Sequence, residues 1–144
     1  MLLAEAKRVA RSGVPVTLLA PFAAFPVEEG LGGRVARSQV RYLARWVRRE
    51  RKAALMDFYV RAGLDVEPGM ADGIAAETLA AGLVRLEQGR VEGPVPDGWR
   101  MLAGAQDGLL NAVELKGRWP ALVVVAGATH HPAALLRAWK EEGI

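Results

Sequence analysis

The chain has 144 residues, of which 51% are hydrophobic and 24% charged, with a net charge of +3. This composition fits one soluble globular domain with a sizeable core and excludes a disordered chain. With no cysteine, a disulfide framework, a zinc thiolate centre and a thiol nucleophile are excluded. No apolar run reaches the roughly 18 residues that span a bilayer, so no membrane is expected as a partner.

"LLAEAKRVARSG" reads as a short helix: Leu2, Leu3, Ala6, Val9 and Ala10 fall at helical spacing and Gly13 is a stop. Acid and base follow its apolar start directly, unlike a secretory leader, and a cytoplasmic location is expected. "VPVTLLA", residues 14–20, reads as a buried strand, with Pro15 tolerated near its start. "PFAAFPVEEGLGG" is a loop rich in proline and glycine. Its "EEGLGGR" end resembles a phosphate loop only superficially. It lacks the Gly-Lys-Ser/Thr ending and reads as a flexible connection.

A long basic helix is expected from about 34 to 62, ending near Gly63; its second half is expected to be buried on more faces, the alternative being a break near 52. Residues 34–52 hold eight of the nineteen basic residues and one acid, Glu50. They carry +7, and the rest of the chain carries −4. At 100° per residue, Arg34, Arg37, Arg41, Arg45, Arg48 and Lys52 step by three or four and form one stripe. Ala36, Val40, Leu43, Val47 and Ala54 fall opposite, so the segment is amphipathic. Like charges at such spacing repel, so the stripe is either solvated or paired with acids elsewhere in the fold, or met by an external anion. Tyr42 and Trp46 flank the stripe, where they can stack on bases or lie at the core boundary.

After a turn at "VEPGMADG", with Asp72 as N-cap, a helix is expected over about 73–88, stopped by Gly89. "GPVPDG" is a loop. "WRMLAGA" reads as a strand and "DGLLNAVELKG" as a helix capped by Asp107 and closed by Gly117; the alternative is a hairpin turning at Asp107-Gly108. "PALVVVAG", residues 120–127, is the clearest strand, an apolar run of the kind buried on both faces. "HPAALLRAWKEEG" is the last helix, with Pro132 in its first turn. Helix and strand in this rhythm predict a single small α/β domain over 1–144. Its sheet should have three or four mostly parallel strands, flanked by helices, with helix in excess.

The second candidate site is the loop between the last strand and the last helix. Gly127, Thr129, His130 and His131 lie there, and ligands of open α/β sheets bind beyond the carboxyl ends of strands. A helix N-terminus there offers unpaired N–H groups to an anion. Thr129 or His131 can equally serve as a helix cap. No acid at close spacing orients either histidine, so neither a triad nor a metal site has local support.

Two weaker patterns remain. Asp97, Glu114 and Lys116 match an acid followed by Glu-x-Lys, used by metal-dependent nucleases, but that needs a strand where a helix is expected. Trp99, Trp119 and Trp139 read as core or boundary residues. No metal or cofactor is expected. With one asparagine, three glutamines and arginine exceeding lysine fifteen to four, the composition is thermophile-like.

The primary functional expectation is a non-enzymatic binding protein whose arginine-striped helix contacts nucleic acid. The alternatives are a regulatory or assembly protein docking that helix on an acidic protein surface or on its own copy, and a small enzyme with a phosphate- or carboxylate-binding loop at 127–132.

Overall fold

A computed structural model describes residues 14–65, 69 and 72–141. The helix expected over residues 2–12 lies outside them. Three strands, β1 (Thr17–Leu19), β2 (Arg100–Gly104) and β3 (Val123–Val125), form a wholly parallel sheet in the order β1-β2-β3. Five helices accompany it among the described residues: α1 (Arg37–Arg49), α2 (Arg51–Ala62), α3 (Ala76–Gln88), α4 (Ala112–Arg118) and α5 (Pro132–Glu141). The fold is the expected small, helix-rich α/β domain.

Alternation along β2 splits the core in two. Met101 and Ala103 face Leu109, Leu110, Leu115 and Leu122, together with Val40 of α1. Leu102 faces the other way, onto Val125 and onto Leu135 and Ala138 of α5. The register agrees: Leu18 pairs with Met101 and joins the first cluster, whereas Leu19 pairs with Leu102 and joins the second.

Two strands are shorter than expected. β1 ends after three residues because Ala20 has a left-handed φ of 49°, which an extended strand cannot accommodate. β3 lacks its expected first residues because Lys116 Nζ binds the carbonyls of Pro120 and Leu122, at 2.8 and 2.6 Å. Nor is β3 covered on both faces. It lies at the sheet edge, and Val124 is 38% exposed.

The expected single basic helix is two helices. Glu50, at φ −143° and ψ 64°, ends α1 and begins α2. The interruption falls in Arg48-Arg49-Glu50-Arg51-Lys52, five consecutive charged residues with no apolar side chain to pin a turn to the core. Packing supplies most helical stability, so the helix yields there. Lys52 accordingly belongs to α2 and not to the helix that carries the rest of the stripe.

The expected caps also move. Ala75, not Asp72, precedes α3, and Asp72 lies 3.5 Å from Arg51. Asn111, not Asp107, caps α4, its Oδ1 accepting from the backbone N–H of Val113 and Glu114. The helix runs through Gly117 to Arg118.

The glycine-rich loop ahead of α1 is stitched down. Val27 N–H donates to the Val35 carbonyl, Arg34 N–H to that of Leu109, and Gly32 N–H to Glu114. A Cβ on Gly33 would overlap the Phe25 carbonyl oxygen. The loop is a fixed spacer, and its charged contacts at α1 are internal: the Glu28 carboxylate accepts from Arg37 N–H, favoured by the helix dipole, and Glu29 pairs with the Arg37 side chain.

Candidate active site

β2 and β3 are adjacent and parallel, so their carboxyl ends open at the same edge of the sheet. The loop after β2 carries Asp107 and the loop after β3 carries His130. The two loops are sewn together by Ala105 N–H to the Val125 carbonyl and Gln106 N–H to the Ala128 carbonyl, both at 2.9 Å. Gly104 permits this approach. A Cβ there would stand 2.5 Å from the Thr129 carbonyl oxygen and closer still to that of Ala128.

Asp107 is fully buried. Its Oδ1 accepts from the backbone N–H of Leu109 and Leu110, at 2.8 and 3.0 Å. Its Oδ2 lies 2.8 Å from His130 Nδ1. Both carboxylate oxygens are thus occupied and the side chain is locked. An ionised carboxylate only accepts, so Nδ1 is the donor and carries the proton. In the neutral imidazole, whose side chain is 23% exposed, Nε2 then keeps its lone pair. The arrangement is that of a base held in one tautomer by a buried acid, which also stabilises the imidazolium formed when the base takes a proton.

The acid that local spacing failed to reveal is therefore 23 residues upstream of the histidine. Asp107 had two competing local readings, helix cap and hairpin turn. It is in fact the cap of a tight turn with its second oxygen to spare. The signal that finds it is topological: chemistry-bearing residues that follow successive, adjacent parallel strands converge at one edge.

The remaining loop residues have structural duties. Gly127 turns the chain at φ 69°. Thr129 Oγ1 accepts from His131 N–H at 3.3 Å, and His131 Nδ1 accepts from Ala133 N–H at 3.0 Å. The N–H groups of Ala134 and Leu135 donate to the His131 carbonyl. These donors, where an anion was expected to bind, are already engaged.

The arginine stripe divides into paired and unpaired members. α1 packs on α3, and α3 presents Glu87 and Glu77. Arg41 reaches Glu87 Oε1 at 2.7 Å, Arg37 ion-pairs with both Glu87 and Glu29, and Arg48 binds Glu77 at 3.0 Å. Arg34, Arg45 and Lys52 are exposed and have no ion pair among the described residues. Tyr42 and Trp46 contact each other, ring centroids 5.8 Å apart; Tyr42 is exposed and Trp46 half-buried. Compensation for the row of like charges thus comes in part from within. Glu114 and Lys116 lie on α4 and are spent on backbone contacts, which leaves the nuclease pattern without its geometry.

The hydrogen bond from Arg41 holds the Glu87 carboxyl below the ordinary glutamate range, with a further contribution from Arg37, against the cost of burial. Arg41 is correspondingly raised. A carboxyl lowered in the folded state stabilises the fold above its unfolded pKa, and that contribution is lost as pH falls through the lowered value. Acid denaturation followed by circular dichroism should show Glu87→Gln less stable than the parent at pH 7. The difference should shrink on acidification and vanish below the lowered pKa of Glu87.

No family model matches the chain, and no curated protein or solved structure matches it.

Proposed function

We propose that the chain carries the acid and base of a hydrolase acting on a carbonyl substrate such as an ester, thioester or amide, with His130 as general base and Asp107 as its orienting acid. The observation that carries this reading is the 2.8 Å contact between a fully buried Asp107 and His130 Nδ1 at the carboxyl edge of a parallel sheet. His130 Nε2 accepts the proton of a hydroxyl as that oxygen attacks the carbonyl carbon. It then returns the proton to the leaving group, and Asp107 stays ionised throughout. The order Asp then His along the chain is the one found on α/β-hydrolase sheets. Among the described residues no side-chain hydroxyl is hydrogen-bonded to Nε2, so the hydroxyl is that of water or of a group outside them.

This is the third of the sequence expectations, with one change: the loop at 127–132 serves through a base, not through anion binding. Internal pairing of Arg37, Arg41 and Arg48 removes the reason to invoke an external polyanion along the whole stripe. Nucleic acid, or an acidic protein surface, would have to be met by Arg34, Arg45, Arg49 and Lys52. Salt-sensitive retention of duplex DNA at low ionic strength would restore that reading.

The test is hydrolysis of p-nitrophenyl esters from acetate to decanoate. The parent chain should turn them over, and His130→Ala should lower the rate by at least about a hundredfold, the range of general-base contributions. A parent protein without hydrolysis above background on any ester, or a His130→Ala variant as active as the parent, overturns the reading.

A further inference from the structure

A cavity of about 350 Å³ lies against α1, walled chiefly by Val40, Leu43, Trp46, Phe58, Leu83 and Leu109. One end is tied to the acid–base pair. Leu109 donates its N–H to Asp107, and its carbonyl accepts from Arg34 N–H, just before α1 begins. The other end runs along α1 to Trp46, which together with Tyr42 also lines a second cleft of about 360 Å³. That cleft is bounded by Arg45, Arg48, Arg49 and Glu50 at the carboxyl end of the helix. Arg48 is held by Glu77, but Arg45 and Arg49 are exposed and have no ion pair among the described residues.

Apolar wall and free cations are thus arranged in sequence along a helix of 13 residues, about 20 Å long. We infer that the two clefts form one binding site for an amphiphile: a medium-length acyl chain in the apolar cavity and an anionic group at Arg45 and Arg49. This goes beyond the hydrolase reading and does not depend on it, since neither His130 nor Asp107 lines either cleft. The Tyr42–Trp46 pair marks the boundary between chain and head. Guanidinium groups suit a carboxylate or phosphate, which they bind in a bidentate fork. Of the carboxylates that line the two clefts, Asp57 is bound by Arg61, while Glu50, at the helix break, lines the second cleft beside the arginines, which outnumber it and leave that cleft net positive.

Calorimetric titration of the parent chain with decanoate and with 1-decanol separates head from chain. Decanoate should bind about tenfold or more tightly than decanol, one tenfold step being about 1.4 kcal/mol. The double variant Arg45→Gln/Arg49→Gln, changed only at exposed positions, should lose that preference and bind decanol as before. Leu83→Trp, which fills the cavity, should weaken both ligands at least tenfold. If that variant does not fold, Leu43→Phe is titrated in its place. The inference is overturned if decanoate and decanol bind alike, if neither binds, or if the double variant keeps the preference. His130→Ala should bind decanoate as the parent does. A chain that binds decanoate in this way yet hydrolyses no ester would retain the amphiphile site and lose only the hydrolase reading.

Discussion

Asp107→Asn should reduce ester hydrolysis by about four orders of magnitude while leaving the fold in place, the size of loss seen when the acid of such a pair is made neutral. An amide oxygen at the Oδ1 position can still accept from the N–H groups of Leu109 and Leu110. The amide nitrogen would then face His130 and donate to Nδ1, which forces the imidazole into the other tautomer and puts the proton on Nε2. The base is then blocked at the atom that must accept. Asp107→Ala should do something different. It leaves two buried N–H donors unpaired, at about 1–3 kcal/mol each, and opens a space beside them. The measurements are initial rates and urea unfolding midpoints for both variants. A rate loss in Asp107→Asn matched by an equally large loss of stability would mean that the acid is structural only.

Gly104→Ala should be severely damaging to both fold and site. The added Cβ meets two carbonyl oxygens, of Ala128 and Thr129, which belong to backbone and cannot swing aside. Relief requires the β3 loop to move away from β2. That breaks the bonds from Ala105 to Val125 and from Gln106 to Ala128, and it withdraws His130 from Asp107. Overpacking of this kind costs about 1–3 kcal/mol in a core and more when only backbone can yield. Thermal unfolding should show the loss, and ester hydrolysis should disappear even in the folded fraction. A control lies nearby: Gly117 has open space around its Cβ position and sits inside α4, so Gly117→Ala should raise stability, by up to about 1 kcal/mol from helix propensity.

Both predictions depend on one design feature, a carboxylate that serves two purposes. Oδ1 closes the turn that leads from β2 into the core residues Leu109 and Leu110, and Oδ2 fixes the base. Folding of that turn therefore builds the site. The arginine face shows the converse arrangement, with charges whose first use is structural. Arg37 and Arg41 converge on Glu87, which is 7% exposed. A buried carboxylate between two guanidinium groups is costly to leave unpaired, and this accounts for part of the basic character of α1 without any partner.

The sequence by itself determined the element types. Apolar runs of branched residues specified the strands, three-and-four spacing specified the helices, and Gly63, Gly89 and Pro132 marked their ends, because these depend on local backbone preference and on which face must be buried. It also showed the charge asymmetry and the loop that holds His130. What it left open depended on neighbours distant in the chain. The break at Glu50 reflects the lack of any apolar anchor across five charged residues, and the partners of the arginines came from an antiparallel α3 that begins 27 residues after the end of α1. The acid for His130 was decided only by tertiary structure. A hydrogen bond across 23 residues has no periodicity to betray it, and it exists because two parallel strands lie side by side and a glycine lets their loops touch.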